Sequence, residues 1–584
     1  MINVPRHSIF GLSFSPELYA AVSGRRGVIA TLFGMSAALN ILMLSGAIFM
    51  LLVYDEVLPS RSGPSLIGLV VLVVVAYVFQ AFIEHLRNQI THQCGAIFER
   101  SLSARIFGLA QASKISGEER RDAPQPSRDL DQLGRFLSGP GPMAIMDLPW
   151  VLLFLTILFA FHAMLGVIGL IGAVILVILT ILTDRMTVSQ VEAATRKSAE
   201  RQTYIEAQRR NAEVIHALGM TGRSAQGWQE LSEVYLNAND SVSGKLSAMR
   251  TFSKTFRMLL QSLVLACGAW LVINDRASGG VIIASTILTS RALAPIELAI
   301  GNWRGFISAR QAWNRLAGHL NRGGHIVHQT QLPAPAKELR VEALAALAPG
   351  SRYVLFRDVS FRLSAGDTLA IVGPSGSGKS SLAATLVGII PPARGGVRLD
   401  GATLDQWEAD AIGAHIGYLP QDIELFDGTV AQNIARFDPS AESAEIIKAA
   451  NEAGVHDLII RLPEGYDTVI GSNGSNLSAG QRQRIALARA LFRDPFLVVL
   501  DEPNSNLDAV GDLALSHAIL GARLRGAIVI IVAHRPGALA EISKLLWLDQ
   551  GVVRALGPKE DVLPMLSGEP APSTTSKLPA AANA

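Results

Sequence analysis

The sequence predicts an α-helical membrane domain with six transmembrane helices, fused to an α/β P-loop nucleotide-binding domain. Three observations carry this. The 584 residues have a mean hydropathy of +0.32 and only 17% charged side chains, too apolar for a soluble chain of this length. Six apolar segments long enough to cross a bilayer lie in the first half. Beyond them Gly373–Ser380 reads GPSGSGKS, the GxxxxGK[ST] pattern, and an apolar run ending in two acids, FLVVLDE, follows at Phe496–Glu502.

The spans fall at residues 27–53, 64–84, 143–161, 164–183, 256–273 and 280–300. Asp147 and Pro149 interrupt the third. The first is too long for a cleaved signal peptide and offers no small-residue cleavage site. Loops after spans one, three and five hold about ten residues or fewer, whereas those after two and four run to roughly 60 and 70. The long loops carry Arg87, Arg100, Arg105, Arg120, Arg121, Arg128 and Arg135, then Arg185, Arg196, Lys197, Arg201, Arg209, Arg210 and Arg223. The short ones carry Arg61 and Arg276. By the positive-inside rule the long loops, the N-terminus and the second domain are cytoplasmic.

The long loops read as helix extensions, because segments such as Val191–Ala217 are rich in Ala, Glu, Arg and Gln at helical spacing. Their tips are expected near Asp122–Leu130 and Gly219–Gly227, with Pro124, Pro126, Gly219 and Gly222 as helix breakers. In span six Arg291 lies near the bilayer middle, and Glu297 is about 240° further around the helix, so the two cannot pair within it. Arg291 is therefore expected to face a protein-lined cavity.

These features divide the chain into an N-terminal segment 1–26, a membrane domain 27–316, a linker 317–340, a nucleotide-binding domain 341–566 and a Pro-, Ala- and Ser-rich tail 567–584 read as disordered. A net charge of +2 indicates no nucleic-acid partner. Cys94 and Cys267 stand alone, without metal spacing, and are expected to be inert thiols.

The phosphate motif has the context it needs. Thr368–Val372 reads as a buried strand and SLAATLVGII, from Ser381, as a helix. Gly373, Pro374, Ser375, Gly376, Ser377, Gly378, Lys379, Ser380 and Ser381 are assigned to the nucleotide. Backbone N–H groups form a nest for phosphate oxygens, and the glycines permit the close approach. Lys379 would reach the β- and γ-phosphates and the Ser380 hydroxyl would ligate Mg²⁺. Asp501, at the end of the downstream strand, suits the Mg²⁺ shell, and Glu502 suits the base or polariser of an attacking water.

With these residues in place the chain resembles the ATP-binding cassette (ABC) family over roughly residues 345–560. Gln421, in GYLPQDIELFDGTVAQNI, looks like the glutamine loop, and LSAGQRQRIALARAL from Leu477 looks like the signature sequence. Asn506–Asp508 resembles the D-loop, and IIVAH ends on His534, which resembles the switch histidine. The resemblance implies ATP and Mg²⁺, with Gln421 and His534 beside Glu502 in catalysis and Gln421 also at the metal. It further implies a homodimer in which Ser478, Gly480 and Gln481 meet the γ-phosphate held by the other subunit's P-loop. Three departures stand out. Ala479 replaces the usual signature glycine. Ala348 stands before Pro349–Gly350 where an adenine-stacking aromatic is usual, with Tyr353 five residues later. Ser472–Asn473–Gly474 stands where exporters often carry Glu-Arg-Gly.

Helices that run far into the cytoplasm and return match the ABC exporter architecture. LMLSGAIFMLLVYDEVLPSRS, MDLPWVLLFLTILFAFHAMLG and DEPNSNLD resemble the type I protein secretion ATPases that export proteases and RTX (glycine-rich calcium-repeat) proteins. That resemblance implies a homodimer in the bacterial cytoplasmic (inner) membrane, joined to a periplasmic membrane-fusion adaptor and an outer-membrane channel. The substrate would be an unfolded protein with an uncleaved C-terminal signal. Only about 26 residues precede the first span, so no peptidase-like N-terminal domain is expected. Two other functions compete: a lipid or small-molecule exporter of the same fold, and an ATP-gated channel or regulator. Intact Glu502 and His534 argue against the latter.

Overall fold

The computed structural model describes residues 13, 15–24, 26–116, 126–322, 332–471, 474, 476–533 and 541–566. They form two compact units, one within residues 1–325 and one centred on 326–584.

The first unit is helical. It opens with α1 (Pro16–Ser23), α2 (Arg26–Leu42), α3 (Leu44–Leu52), a π-helical turn at Val53–Val57 and α4 (Leu58–Ser60). Then come α5 (Gly63–Ser116), α6 (Pro126–Leu137), α7 (Pro140–Asp147), a 3₁₀ turn at Leu148–Trp150 and α8 (Val151–Phe161). It closes with α9 (Ala163–Arg210), α10 (Ala212–Ala217), α11 (Thr221–Ile273), α12 (Gly279–Gly301) and α13 (Trp303–Arg322). Six stretches are long and apolar enough to span a bilayer: 26–60, 63–112, 140–161, 163–210, 221–273 and 279–301. Each contains one of the six expected spans.

Helices α5, α9 and α11 have 54, 48 and 53 residues. At 1.5 Å per residue each is roughly 70–80 Å long, more than twice a hydrocarbon core. The long loops are therefore largely helix. The expected tips need correction. Of the first, residues up to 125, Pro124 included, lie outside the described residues, and Pro126–Leu130 is already helix, with Pro126 at its first position. Proline is pre-organised for that position and starts the helix here. The second turn lies at 211–220, earlier than Gly219–Gly227, and includes the short α10. Gly219 has φ +62°, but Gly222 and Gly227 sit inside α11.

The third span is interrupted where the sequence indicated. Helix α7 stops at Asp147, and the 3₁₀ turn holds Pro149. The Asp147 carboxylate gathers partners from two other spans. Arg87 donates from Nη1 at 3.1 and 3.2 Å, Ser36 donates from Oγ, and Asn40 donates from Nδ2 at 3.4 Å. Ser36, Asn40 and Arg87 are all buried. A charge in this setting persists only when paired and hydrogen-bonded. On α12, Glu297 is taken by Arg257 of α11 at 2.5 Å. Arg291 is exposed on the single chain rather than enclosed by it, with Nη1 3.9 Å from Met43 Sδ.

Helix α13 runs to Arg322 and the next described element begins at Glu338, both inside the stretch expected as linker. The tail 567–584 lies outside the described residues.

The second unit is α/β. Its strands are β1 (Glu338–Leu347), β2 (Val354–Ser364), β3 (Thr368–Val372), β4 (Arg394–Leu399), β5 (Ala402–Thr403), β6 (Ile416–Leu419), β7 (Gly428–Thr429), β8 (Val469–Ile470), β9 (Leu497–Asp501), β10 (Ile528–Val532), β11 (Lys544–Asp549) and β12 (Val552–Pro558). Helices are α14 (Lys379–Leu386), α15 (Ala409–Gly413), α16 (Val430–Ile434), α17 (Ser443–Glu452), α18 (His456–Ile459), α19 (Ala479–Leu491), α20 (Ala509–Leu524) and α21 (Lys559–Leu566). The main sheet has the order β12-β11-β3-β10-β9-β6, parallel except for β12. An antiparallel sheet, β2-β1-β4-β5, stands beside it.

Every residue of β3, β9 and β10 is buried, the pattern of parallel strands covered on both faces. Alternate residues serve two cores. Leu369, Ile371, Leu497, Val499, Ile528 and Ile530 pack with Leu382 and Leu386 of α14 and with the antiparallel sheet. Ala370, Val372, Val498, Leu500, Val529 and Ile531 pack with α19, α20 and the helices between β7 and α19.

Candidate nucleotide site

The parallel sheet brings the candidate residues to one edge. In such sheets ligands sit at the carboxyl ends of the strands. β3 runs into Gly373, β9 ends on Asp501, β10 ends on Val532 and β6 ends on Leu419. The register fixes their neighbours: Val532 pairs with Asp501, and Leu419 with Leu500. Ala533, just after β10, donates its N–H to Ile371 O at 3.2 Å, closing the edge between β10 and β3.

Two glycines in the loop are required by geometry. Gly373 has φ +148°, and a Cβ there would lie 1.9 Å from Leu548 O. Gly378 has φ +98°, and a Cβ would lie 2.8 Å from Leu355 O. Other residues would collide with backbone that cannot yield. The loop then turns directly into α14, whose N-terminal N–H groups carry partial positive charge.

Lys379 is 5% exposed and donates from Nζ to Gly373 O at 3.0 Å and Pro374 O at 2.8 Å. Burial pushes its pKa below that of an ordinary lysine, while Glu502 and Asp501 pull it back up. Ser380 Oγ donates to Asp501 Oδ1 at 3.2 Å, and Asp501 is 3% exposed. The Ser377 hydroxyl is buried and has no hydrogen-bond partner among the described residues. An orphaned hydroxyl in a positively polarised loop is what an anion would satisfy. Ser380 and Asp501 supply hard oxygen donors side by side, which fits Mg²⁺. Glu502 is half-buried, and its backbone is left-handed at φ +48°. Its N–H donates to Val532 O at 3.1 Å, and its carbonyl accepts Ser505 N–H at 3.2 Å.

Residues 356–505 match the ABC transporter family, and residues 29–294 match the ABC transporter transmembrane region. The type I secretion system ATP-binding protein PrsD of Rhizobium meliloti (strain 1021) is 51% identical over 528 residues, covering 90% of this chain and 91% of that protein. The chain belongs to the ABC transporters, among the type I secretion ATP-binding proteins. The toxin RTX-I translocation ATP-binding protein of Actinobacillus pleuropneumoniae is 27% identical, covering 96% of this chain and 80% of that one. A bacterial Atm1-family ABC exporter, solved with ATP bound, shares the fold with a TM-score of 0.81 at 21% identity, covering 93% of this chain and 97% of that one. The protein is thus a nucleotide-binding, multi-pass membrane protein.

The glutamine-loop, signature and D-loop residues are also among the described residues. Gln421 is exposed, two residues beyond β6. The signature residue Ser478 caps α19. Its Oγ accepts Gln481 N–H at 3.3 Å, and Gln481 Oε1 accepts Ser478 N–H at 2.8 Å. This capping box exposes a helix N-terminus. Ala479 is the exposed first residue of that helix. Gly480 lies so near the D-loop that a Cβ would come within 3.0 Å of Asn506 O.

Sequence reasoning missed Gln483 and Arg484. Buried Gln483 donates to Pro503 O and accepts Asn506 N–H at 3.0 Å. Arg484 pairs with Asp508 at 3.1 Å. A polar residue four before Leu487, on the helix face that otherwise presents Leu487 and Ala490 to the core, is the signal that could have found Gln483. These bonds tie the signature helix to the loop after Glu502. His534 and Ser472–Asn473 lie outside the described residues, whereas Gly474 is held at φ +68°. Ala348 N–H donates to Tyr353 O at 2.8 Å, so a turn brings the displaced aromatic beside the alanine, with Tyr353 70% exposed.

Proposed function

We propose that this chain is the inner-membrane ATPase of a type I secretion system, exporting an unfolded protein that bears a C-terminal signal. The carrying observation is the 51% identity, over 90% of the chain, to a type I secretion ATP-binding protein. An ATP-gated channel or regulator has no comparable support, and a lipid or small-molecule cargo is the weaker reading. By this proposal the protein works as a homodimer with a periplasmic adaptor and an outer-membrane channel, its N-terminus and ATP-binding domain in the cytoplasm. The distribution of arginines supports that orientation.

The chemistry follows from the sheet edge. The P-loop backbone and the α14 N-terminus bind and orient the triphosphate. Lys379 exchanges its two carbonyl acceptors for phosphate oxygens. Ser380 and Asp501, with Gln421 moving in, would hold Mg²⁺. When bound, that ion neutralises charge on the β- and γ-phosphates. Glu502 accepts the proton of the attacking water, and His534 and Gln421 position that water and the γ-phosphate. Ser478, Gly480 and Gln481 complete the site of the opposite subunit. Tyr353 stacks on adenine in place of Ala348.

The test is secretion and reconstitution together. Purified protein in proteoliposomes should hydrolyse ATP, with turnover altered by a polypeptide carrying the C-terminal signal and not by the same polypeptide lacking it. Deleting the gene should retain that substrate inside the cell. Turnover that responds to lipids or small amphiphiles and ignores the polypeptide would transfer the assignment to the second class.

A further inference from the structure

Two cavities of the membrane unit meet beside the cytoplasm-side ends of spans three, four and six. One, of about 470 Å³, is wholly apolar, with Ile145, Leu148, Val177, Ile181, Ile296 and Phe306 among its walls. The other, of about 640 Å³, is lined by Arg128, Arg135 and Arg304 together with Gln132 and Tyr235. Phe136, Gly141 and Asn302 line both, so the two are neighbours across those residues.

The charges are arranged asymmetrically. Arg128 is engaged by Glu206 at 3.4 Å, and Asp129, the one acid in the lining, is held by Arg315 at 2.6 Å. Arg135 donates only to Asp131 O, and Arg304 only to Asn239 and Ser243. Neither has a carboxylate partner among the described residues. The depth is set by Trp303, whose Nε1 donates to Asp184 Oδ1 at 3.2 Å. Asp184 follows the apolar run of span four, and tryptophan favours the membrane–water boundary. Apart from Phe306 on α13, the apolar walls named above lie on residues inside the spans, and the arginines lie on α6 and α13, outside them.

An apolar slot beside two guanidinium groups without a carboxylate partner fits one ligand shape, an acyl chain with an anionic head. We propose that the two adjoining cavities together bind an anionic phospholipid from the leaflet where α13 emerges. Its phosphate sits between Arg135 and Arg304, and one acyl chain lies along Val177, Ile181 and Ile296. Guanidinium groups suit phosphate because they present paired donors. Basic pockets between helices on this side of a membrane recruit anionic head groups by the same physics.

The probe is phosphatidylglycerol against phosphatidylcholine of matched chains, added to the full-length protein in detergent and read by native mass spectrometry of retained lipid. Wild type should retain phosphatidylglycerol in preference to phosphatidylcholine. Arg135→Gln with Arg304→Gln should weaken that retention about 25-fold, at about 5-fold per arginine. Val177→Trp should block the slot and reduce retention with the charges intact, while Arg276→Gln, in the turn between spans five and six, should change nothing. Basal ATP turnover reports that each variant is folded. Equal retention of the two lipids by wild type would overturn the proposal, as would retention unchanged in both the double-arginine and Val177→Trp variants. Competition by glycerol phosphate as effective as by the lipid would make this a free-phosphate site instead. A photoreactive residue at position 145 that crosslinked to the secreted polypeptide and not to lipid would make it part of the substrate path.

Discussion

Ser380 Oγ and Asp501 Oδ1 lie 3.2 Å apart although 121 residues separate them in the chain. The contact joins the end of the P-loop to the end of β9. It exists because β3 and β9 flank β10 in one parallel sheet. The same contact puts Glu502, the next residue, within electrostatic reach of Lys379.

Glu502→Gln should abolish turnover, by about 100-fold or more, with ATP binding preserved, since general-base contributions are of order 10²–10⁴. Lys379→Ala should instead weaken nucleotide binding. Phosphate release and binding of a fluorescent ATP analogue, measured on the same nanodisc preparations, separate the two effects. Near-wild-type hydrolysis by the Glu502 variant would remove it from its role.

Composite sites make a second prediction. In a purified mixed dimer of Ser478→Arg and Lys379→Ala chains, both lesions fall on one site and the other is intact. The mixed dimer should hydrolyse ATP faster than either mutant homodimer. A rate no higher than theirs counts against two sites shared in this way.

Tyr353→Ala should weaken ATP binding by about 5- to 150-fold, because base–aromatic stacking is worth about 1–3 kcal/mol. Binding of inorganic triphosphate, which has no base, should be unchanged. An ATP affinity indifferent to the substitution would leave the adenine to some other partner.

Asp147→Asn should destabilise the membrane unit by about 3–5 kcal/mol, because Arg87 is then buried without a counter-charge. Arg87→Met with Asp147→Leu should be less damaging than the single change. Thermal unfolding in detergent gives the order, and a double variant worse than Asp147→Asn would contradict it.

Arg291→Cys, on a background lacking Cys94 and Cys267, should react with a membrane-impermeant thiol reagent in at least one nucleotide state. Arg291 is exposed on the single chain with no carboxylate paired to it among the described residues, and a lipid-facing charge costs at least about 2.5 kcal/mol near the bilayer centre. Complete protection in apo, ATP-bound and vanadate-trapped protein would exclude a water-filled surface there.

The six spans and the nucleotide edge were legible because each is written locally. Lipid demands long apolar runs, and phosphate demands glycine where Gly373 and Gly378 stand. What was not legible depends on partners remote in sequence. Asp147 read only as an interruption, because Arg87 and Ser36 lie 60 and 111 residues away. Gln483 was hidden within the signature because its partners follow β9. The second tip was misplaced because Gly222 looked like a breaker, whereas a long helix absorbs single glycines at about 1 kcal/mol each.

The left-handed backbone at Glu502 has a consequence for how this site trades function against robustness. Along a regular strand, neighbouring side chains point to opposite faces. The reversal at φ +48° breaks that alternation, and both Asp501 and Glu502 act on the one ammonium of Lys379. A non-glycine residue in that conformation carries a cost of order 1–3 kcal/mol. The acid is therefore kept at a position where glycine would be the more comfortable occupant. Selection for thermal endurance alone would drift toward Glu502→Gly and an inert protein, so the glutamate persists only under continuing demand for turnover.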